Sequence, residues 1–90
     1  MTEVKELNIE EIVEDIMDGR QIILYNDDVN SFDHVILCLI KYCGHNPHQA
    51  EQCALIVHHK GKCSVKKGED ESLKPILEEL LRNQLSAKIE

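Results

Sequence analysis

Glycine punctuation sets the scale of what this chain can build. Its four glycines, Gly19, Gly44, Gly61 and Gly68, each fall where an apolar pattern ends. Glycine just past a helix is a common stop signal, so the segments between are read as short elements. Before Gly19, the residues Ile9, Ile12, Val13, Ile16 and Met17 recur at helical spacing beside Glu10, Glu11, Glu14 and Asp15. Asn8 and Glu11 form a capping box for that helix. A single short helix is marginal in water, so this one needs a surface to lie on.

After Gly19, Gln21 to Tyr25 carries the apolar run Ile22-Ile23-Leu24, too short for a helix and read as a strand. It breaks at three turn formers, Asn26-Asp27-Asp28. A helix is expected from about Phe32 to Tyr42, capped by Asn30 or Ser31. Phe32, Val35, Ile36, Leu39, Ile40 and Cys43 mark its buried face. Asn46-Pro47-His48-Gln49 opens the next helix with a cap, a proline at the first helical position and a closing glutamine. Its inner stripe is Ala50, Cys53, Ala54 and Val57, and His59 and Lys60 sit at the negative end of its dipole. Lys62 to Lys66 reads as a strand and Lys67-Gly68 as a turn. A third core helix carries Leu73, Ile76, Leu77, Leu80 and Leu81. With Ser72 as its cap, Pro75 falls at the third helical position, where a missing N–H costs little. Leu85, Ala87 and Ile89 alternate as a last strand. The order predicts an α+β domain with helices on one face of a small three-stranded antiparallel sheet.

Ninety residues make one domain, divided into an acidic arm over 1–19 and a folded core over 20–90. A chain this short buries only a little over ~60% of its unfolded surface, which leaves no room for a deep enzyme cleft. Acids outnumber bases by 17 to 10, for a net charge of −7. That argues against a nucleic-acid partner, whose phosphates demand a basic face. No apolar run approaches the roughly 18 residues of a membrane span. Met1 to Lys5 opens polar with no apolar export segment behind it, so a cytoplasmic location is expected. Cys38, Cys43, Cys53 and Cys63 are then expected as free thiols in or near the core.

Few constellations here are capable of chemistry. Asn26-Asp27-Asp28 reads first as a turn. It also sets one amide and two carboxylates at a strand end, where they can accept hydrogen bonds from an ammonium group. His58, beside the inner stripe, is either a core-boundary residue or part of a pocket wall. Cys43, His45, His48 and Cys53 are all metal-ligand types, but their spacing is not that of a zinc finger or ribbon, and Cys53 belongs to a buried stripe. A thiol enzyme needs an exposed cysteine of lowered pKa, whereas Cys38, Cys43 and Cys63 lie in or near core elements. No catalytic residue, metal or cofactor is therefore expected.

The order of the pieces is more informative than any one of them. An apolar strand leads into Asn26-Asp27-Asp28, a helix opens Phe32-Asp33-His34-Val35, and a second helix ends Val57-His58-His59-Lys60-Gly61. This resembles the ClpS family, adaptors that bring N-degron substrates to the Clp protease. The likeness runs from about Arg20 to the C-terminus. Its best features are Asn26-Asp27-Asp28, Tyr42-Cys43-Gly44, Gln49-Ala50, and Val57-His58 followed by Gly61. The resemblance implies a pocket for a substrate's first residue, typically Leu, Phe, Tyr or Trp. Asn26 would bond the α-amino group, one or both of Asp27 and Asp28 would supply negative charge, and His58 would complete the set. Phe32, Val35, Val57 and Leu85 match positions lining the apolar cavity or its rim, with Asn30 and Ser31 at its mouth. The implied partners are a Clp AAA+ unfoldase and those substrate proteins, with no membrane or nucleic acid, and the free protein is expected to be a monomer.

The chain also departs from the family pattern. Met is frequent where Phe32 stands, and a rigid ring there narrows the pocket, so Leu is expected to be preferred over Trp. Thr is frequent where Asn30 stands. Gly61 to Val65 looks shorter than the family's strand and hairpin. The arm, mobile in the family and engaging the unfoldase, is patterned here as a helix. The alternative reading is an adaptor of the same fold that works through its acidic arm, Glu3 to Asp18, without reading first residues.

Overall fold

A computed structural model describes residues 19–90, and the helix expected around Ile9 to Met17 lies outside the described residues. The elements are β1 (Arg20–Tyr25), α1 (Phe32–Cys43), α2 (Pro47–Lys60), β2 (Lys62–Gly68), α3 (Asp70–Arg82) and β3 (Ser86–Ile89). β1 is the central strand, antiparallel to β2 on one side and to β3 on the other. Its apolar run suits that place. Ile22 and Leu24 are fully enclosed and pack in one cluster with Leu39 of α1, Ala50 and Val57 of α2, and Leu73 and Leu80 of α3. The helices thus cover the face of the sheet that Ile22 and Leu24 present, giving the expected α+β architecture.

Local chemistry sets the helix ends where the sequence places them. The Ser31 hydroxyl oxygen accepts the His34 N–H at 3.1 Å, and the Asn46 side chain accepts the Gln49 N–H at 2.7 Å. Gly44 and Gly61 close α1 and α2 in the left-handed conformation, φ 73° and 95°, which glycine adopts without strain.

Long-range pairing overrides local signals at two points. β2 does not end at Lys66. Lys67 and Gly68 continue it, paired with Gln21 and Arg20, so they form strand rather than turn. The register shifts once. Lys66 faces Ile22 and Ser64 faces Ile23, leaving Val65 as an extra, buried residue in a bulge. The longer strand moves the start of α3 back by a turn. Glu69, not Ser72, is the cap residue, and the Ser72 and Leu73 N–H groups both donate to its carbonyl. Pro75 therefore lies inside the helix, where it has no N–H to give the Glu71 carbonyl. The complete burial of Leu73 and Leu80 on either side holds the helix through this defect. Two residues assigned to buried faces are outside them: Leu81 is 48% exposed and Phe32 39%.

The loop after β1 is pinned by one carboxylate. Asp27 Oδ1 accepts the Val29 and Asn30 N–H groups at 3.0 and 3.1 Å, both Asp27 oxygens accept the Asn30 amide, and Oδ2 accepts the Ser86 hydroxyl at 2.9 Å. The Asn26 N–H donates to the Gly61 carbonyl at 2.9 Å. The loop is thereby tied to β3 and to the end of α2. Burial pushes the Asp27 carboxyl upward. Hydrogen bonds from the Asn30 N–H, the Ser86 hydroxyl, the Val29 N–H and the Asn30 amide outweigh it and hold the carboxyl below the ordinary aspartate value.

Two outcomes are expected from equilibrium urea unfolding. Pro75→Ala restores the missing donor and should stabilise the fold by roughly 1–2 kcal/mol, less than the ~3 kcal/mol of an interior proline because proline also stiffens the unfolded chain. A shift to lower urea would contradict the assignment of Pro75 to the helix interior. A depressed carboxyl stabilises the fold above its unfolded pKa, near ~4, and that contribution is lost as pH falls through the lower folded value. Asp27→Asn should therefore be less stable than the parent at neutral pH, with the gap closing below about pH 4. A gap constant down to the acid limb would remove Asp27 from its place in the loop.

Candidate functional site

Where β1 runs out, its side chains turn from core to cavity. Leu24 and Tyr25 open the wall, and Asn26, Asp27 and Asp28 follow at its polar end. Phe32 and Val35, a turn apart on α1, and Ala54, Val57 and His58 on α2 supply two more walls. Leu85, buried just before β3, supplies another. Asn30 completes the lining of a cavity of about 350 Å³. That is small for a ligand pocket and suited to a single side chain.

The residues singled out from the sequence do not all come together. Ser31 is absent from the lining, because its hydroxyl is committed to capping α1. His58 is exposed at the rim rather than turned toward the helix's inner stripe, its ring edge-on to His59 at 5.1 Å between centroids. Leu24, Tyr25 and Ala54 line the cavity without having been anticipated. For Ala54 a signal existed: it precedes His58 by four residues, one helical turn, and so shares its face. Leu24 and Tyr25 carried no mark of their own.

The polar end is divided by function. Asp27 spends its oxygens on the loop and on Ser86. The side chains of Asn26, Asp28 and His58 line the same end and make no hydrogen bond to another described residue. The Tyr25 hydroxyl is bonded to the Glu90 carboxylate, which keeps its proton in place and raises its pKa. The lining contains no Lys or Arg. An apolar slot with open acceptors and net negative charge at one end suits a cation attached to an apolar group.

The other residue types capable of chemistry lie elsewhere. Cys38 and Cys43 are buried, and Cys53 and Cys63 are half-buried. Burial raises the Cys38 thiol and pushes Cys43 up to about 11. Burial together with the neighbouring Cys63 thiol pushes Cys53 up to about 12. Thiols held protonated in this way are poor nucleophiles and poor metal ligands. His45 is buried, with Nε2 donating to the Val65 carbonyl at 2.7 Å, while His48 is exposed in the first turn of α2. Among the described residues, no three His, Cys, Asp or Glu side chains are grouped to hold a metal ion, and no helix is long and apolar enough to cross a membrane.

Two comparisons agree with the resemblance in the sequence. The family described as ATP-dependent Clp protease adaptor protein ClpS matches residues 18–88. The ATP-dependent Clp protease adapter protein ClpS of Thermosynechococcus vestitus is 36% identical over 67 residues, covering 73% of this chain and 71% of that protein. The matched span takes in every element from β1 through β3 except the final residue of β3. The chain belongs to the ClpS family of Clp protease adaptors.

Proposed function

We propose that this adaptor binds the first residue of substrate proteins in the cavity and delivers them to a Clp AAA+ unfoldase. The observation that carries the reading is the pairing of a slot sized for one side chain with the polar side chains of Asn26, Asp28 and His58, none of them bonded to another described residue. Asn26 and Asp28 receive the α-ammonium, His58 closes the set from α2, and Asp27 holds the loop in shape while adding its charge. Phe32, Val35, Ala54, Val57 and Leu85 enclose the side chain. Burial of Cys38 and Cys43, which raises both thiols, suits a carrier rather than a thiol enzyme. Four free cysteines suit a reducing cytoplasm.

The energetics are adequate for a carrier. Burying a Leu or Phe side chain contributes roughly 1.5–3 kcal/mol. A hydrogen bond to a charged group contributes roughly another 1.5–3 kcal/mol. A few such terms reach about −8 kcal/mol, a micromolar site that can release its cargo. Discrimination comes from charge. The α-amino group, with a pKa near ~8, is mostly protonated at neutral pH, and an internal peptide bond carries no such charge. The Phe32 ring at the rim limits width, so Leu is the preferred guest and Trp a poorer one.

Fluorescence anisotropy with labelled peptides beginning Leu, Phe, Trp or Met tests the reading. Binding to the Leu peptide is expected to be micromolar, stronger than to the Trp peptide, abolished by N-acetylation, and weaker above about pH 8 as the ammonium loses its proton. Indifference to acetylation would sink the proposal and direct attention to the acidic arm. Asp28→Asn and His58→Ala should each weaken binding by about tenfold, the loss of one charge-assisted contact. Their unfolding midpoints should stay at the parent value, since neither side chain bonds another described residue. Unchanged affinity in both variants would remove these residues from the site.

A further inference from the structure

We infer that Asn30 is a positioning residue whose amide latches the acidic loop to the turn carrying Leu85, and that this latch sets which first side chains the cavity admits. The inference rests on the reading of the cavity as a first-residue pocket.

Three observations meet at this side chain. The Asn30 amide has two N–H groups and uses both directions. It donates to the Asp27 carboxylate at 3.1 Å and to the Gln84 carbonyl at 2.8 Å, across 54 residues of chain. Gln84 is the non-glycine residue with positive φ among those described, at 71°, a conformation unfavourable for a residue with a Cβ. The next residue, Leu85, is only 4% exposed and forms one wall of the cavity. A strained turn thus aims an apolar wall, and one amide ties that turn to the polar end.

The surrounding bonds show what the latch adds. The His34 imidazole donates Nε2–H to the Asn83 carbonyl at 2.9 Å. The Gln84 and Leu85 N–H groups donate to the Leu81 and Leu80 carbonyls. All of these tie the turn to α1 or α3, behind the wall. The Ser86 hydroxyl, one residue past Leu85, reaches the loop through Asp27, and the Asn30 amide is the bond from the loop to the strained Gln84 itself, on the other side of Leu85. Without it, Leu85 is held to the loop from the Ser86 side alone, and the Gln84 side of the turn can shift before a larger guest.

The test is the ratio of affinities for Leu-first and Trp-first peptides, measured by anisotropy on the full chain. In Asn30→Ala the Leu-over-Trp ratio is expected to fall by about 3–10-fold, the scale of one lost hydrogen bond, while dependence on a free amino group persists. Asn30→Ser, which keeps a donor for Asp27 but has a single hydroxyl hydrogen, should show the same fall and guards against a misfolded alanine variant. Adding Gln84→Gly to Asn30→Ala removes the strain the latch opposes and should restore the ratio to within about 2-fold, because glycine holds a positive φ unaided. A ratio unmoved in the Ala and Ser variants, or one that Gln84→Gly does not restore, overturns the latch. Parent protein that binds free and acetylated Leu peptides alike overturns the pocket reading, and the latch's selectivity role with it.

Discussion

β1 is hydrogen-bonded along both edges, and nearly everything else in the fold follows from its place between β2 and β3. Ile22 and Leu24 give it the most buried side chains of the sheet, so the helices gather over that face. The same pairing delivers Asn26 to one point, with its N–H on the Gly61 carbonyl at the end of α2. The strand that anchors the core therefore also aims the polar end of the cavity. A disturbance of its register would move core and site together, because a one-residue slip turns every side chain to the other face.

What was readable in the sequence was local. Ser31, Asn46, Gly44 and Gly61 act within a turn of their own position, and the helix ends they mark are the ones observed. What was not readable depended on distant partners. Lys67-Gly68 has the composition of a turn, but Arg20 and Gln21, almost fifty residues earlier, hold it in the sheet. That extension moves the start of α3 to Glu69 and leaves Pro75 inside the helix, a position its own chemistry argues against. At the cavity, Asp27 and Asp28 look equivalent as neighbours in sequence. They separate in the fold, where Asp27 takes the Val29 and Asn30 N–H groups and the Ser86 hydroxyl from fifty-nine residues on. Ser31 likewise sits between cavity residues in sequence, yet its hydroxyl serves the helix.

The division between the two aspartates explains how so small a domain can hold a charged loop at the edge of its core. A carboxylate with several donors is an economical anchor, since each charge-assisted bond is stronger than a neutral one. With Asp27 satisfying the backbone of the loop, the Asn26 and Asp28 side chains at the polar end of the cavity are bonded to no other described residue.

The central claim is that the cavity holds a substrate's first residue by both its side chain and its α-amino group. The most direct measurement is a crystal structure of the full chain with a Leu-first peptide. The account predicts the leucyl side chain among Phe32, Val35, Val57 and Leu85, with the α-nitrogen within hydrogen-bonding distance of the Asn26 side chain and the Asp28 carboxylate. A peptide bound elsewhere, or one that fills the cavity with an internal residue and leaves Asn26 and Asp28 unengaged, would contradict it.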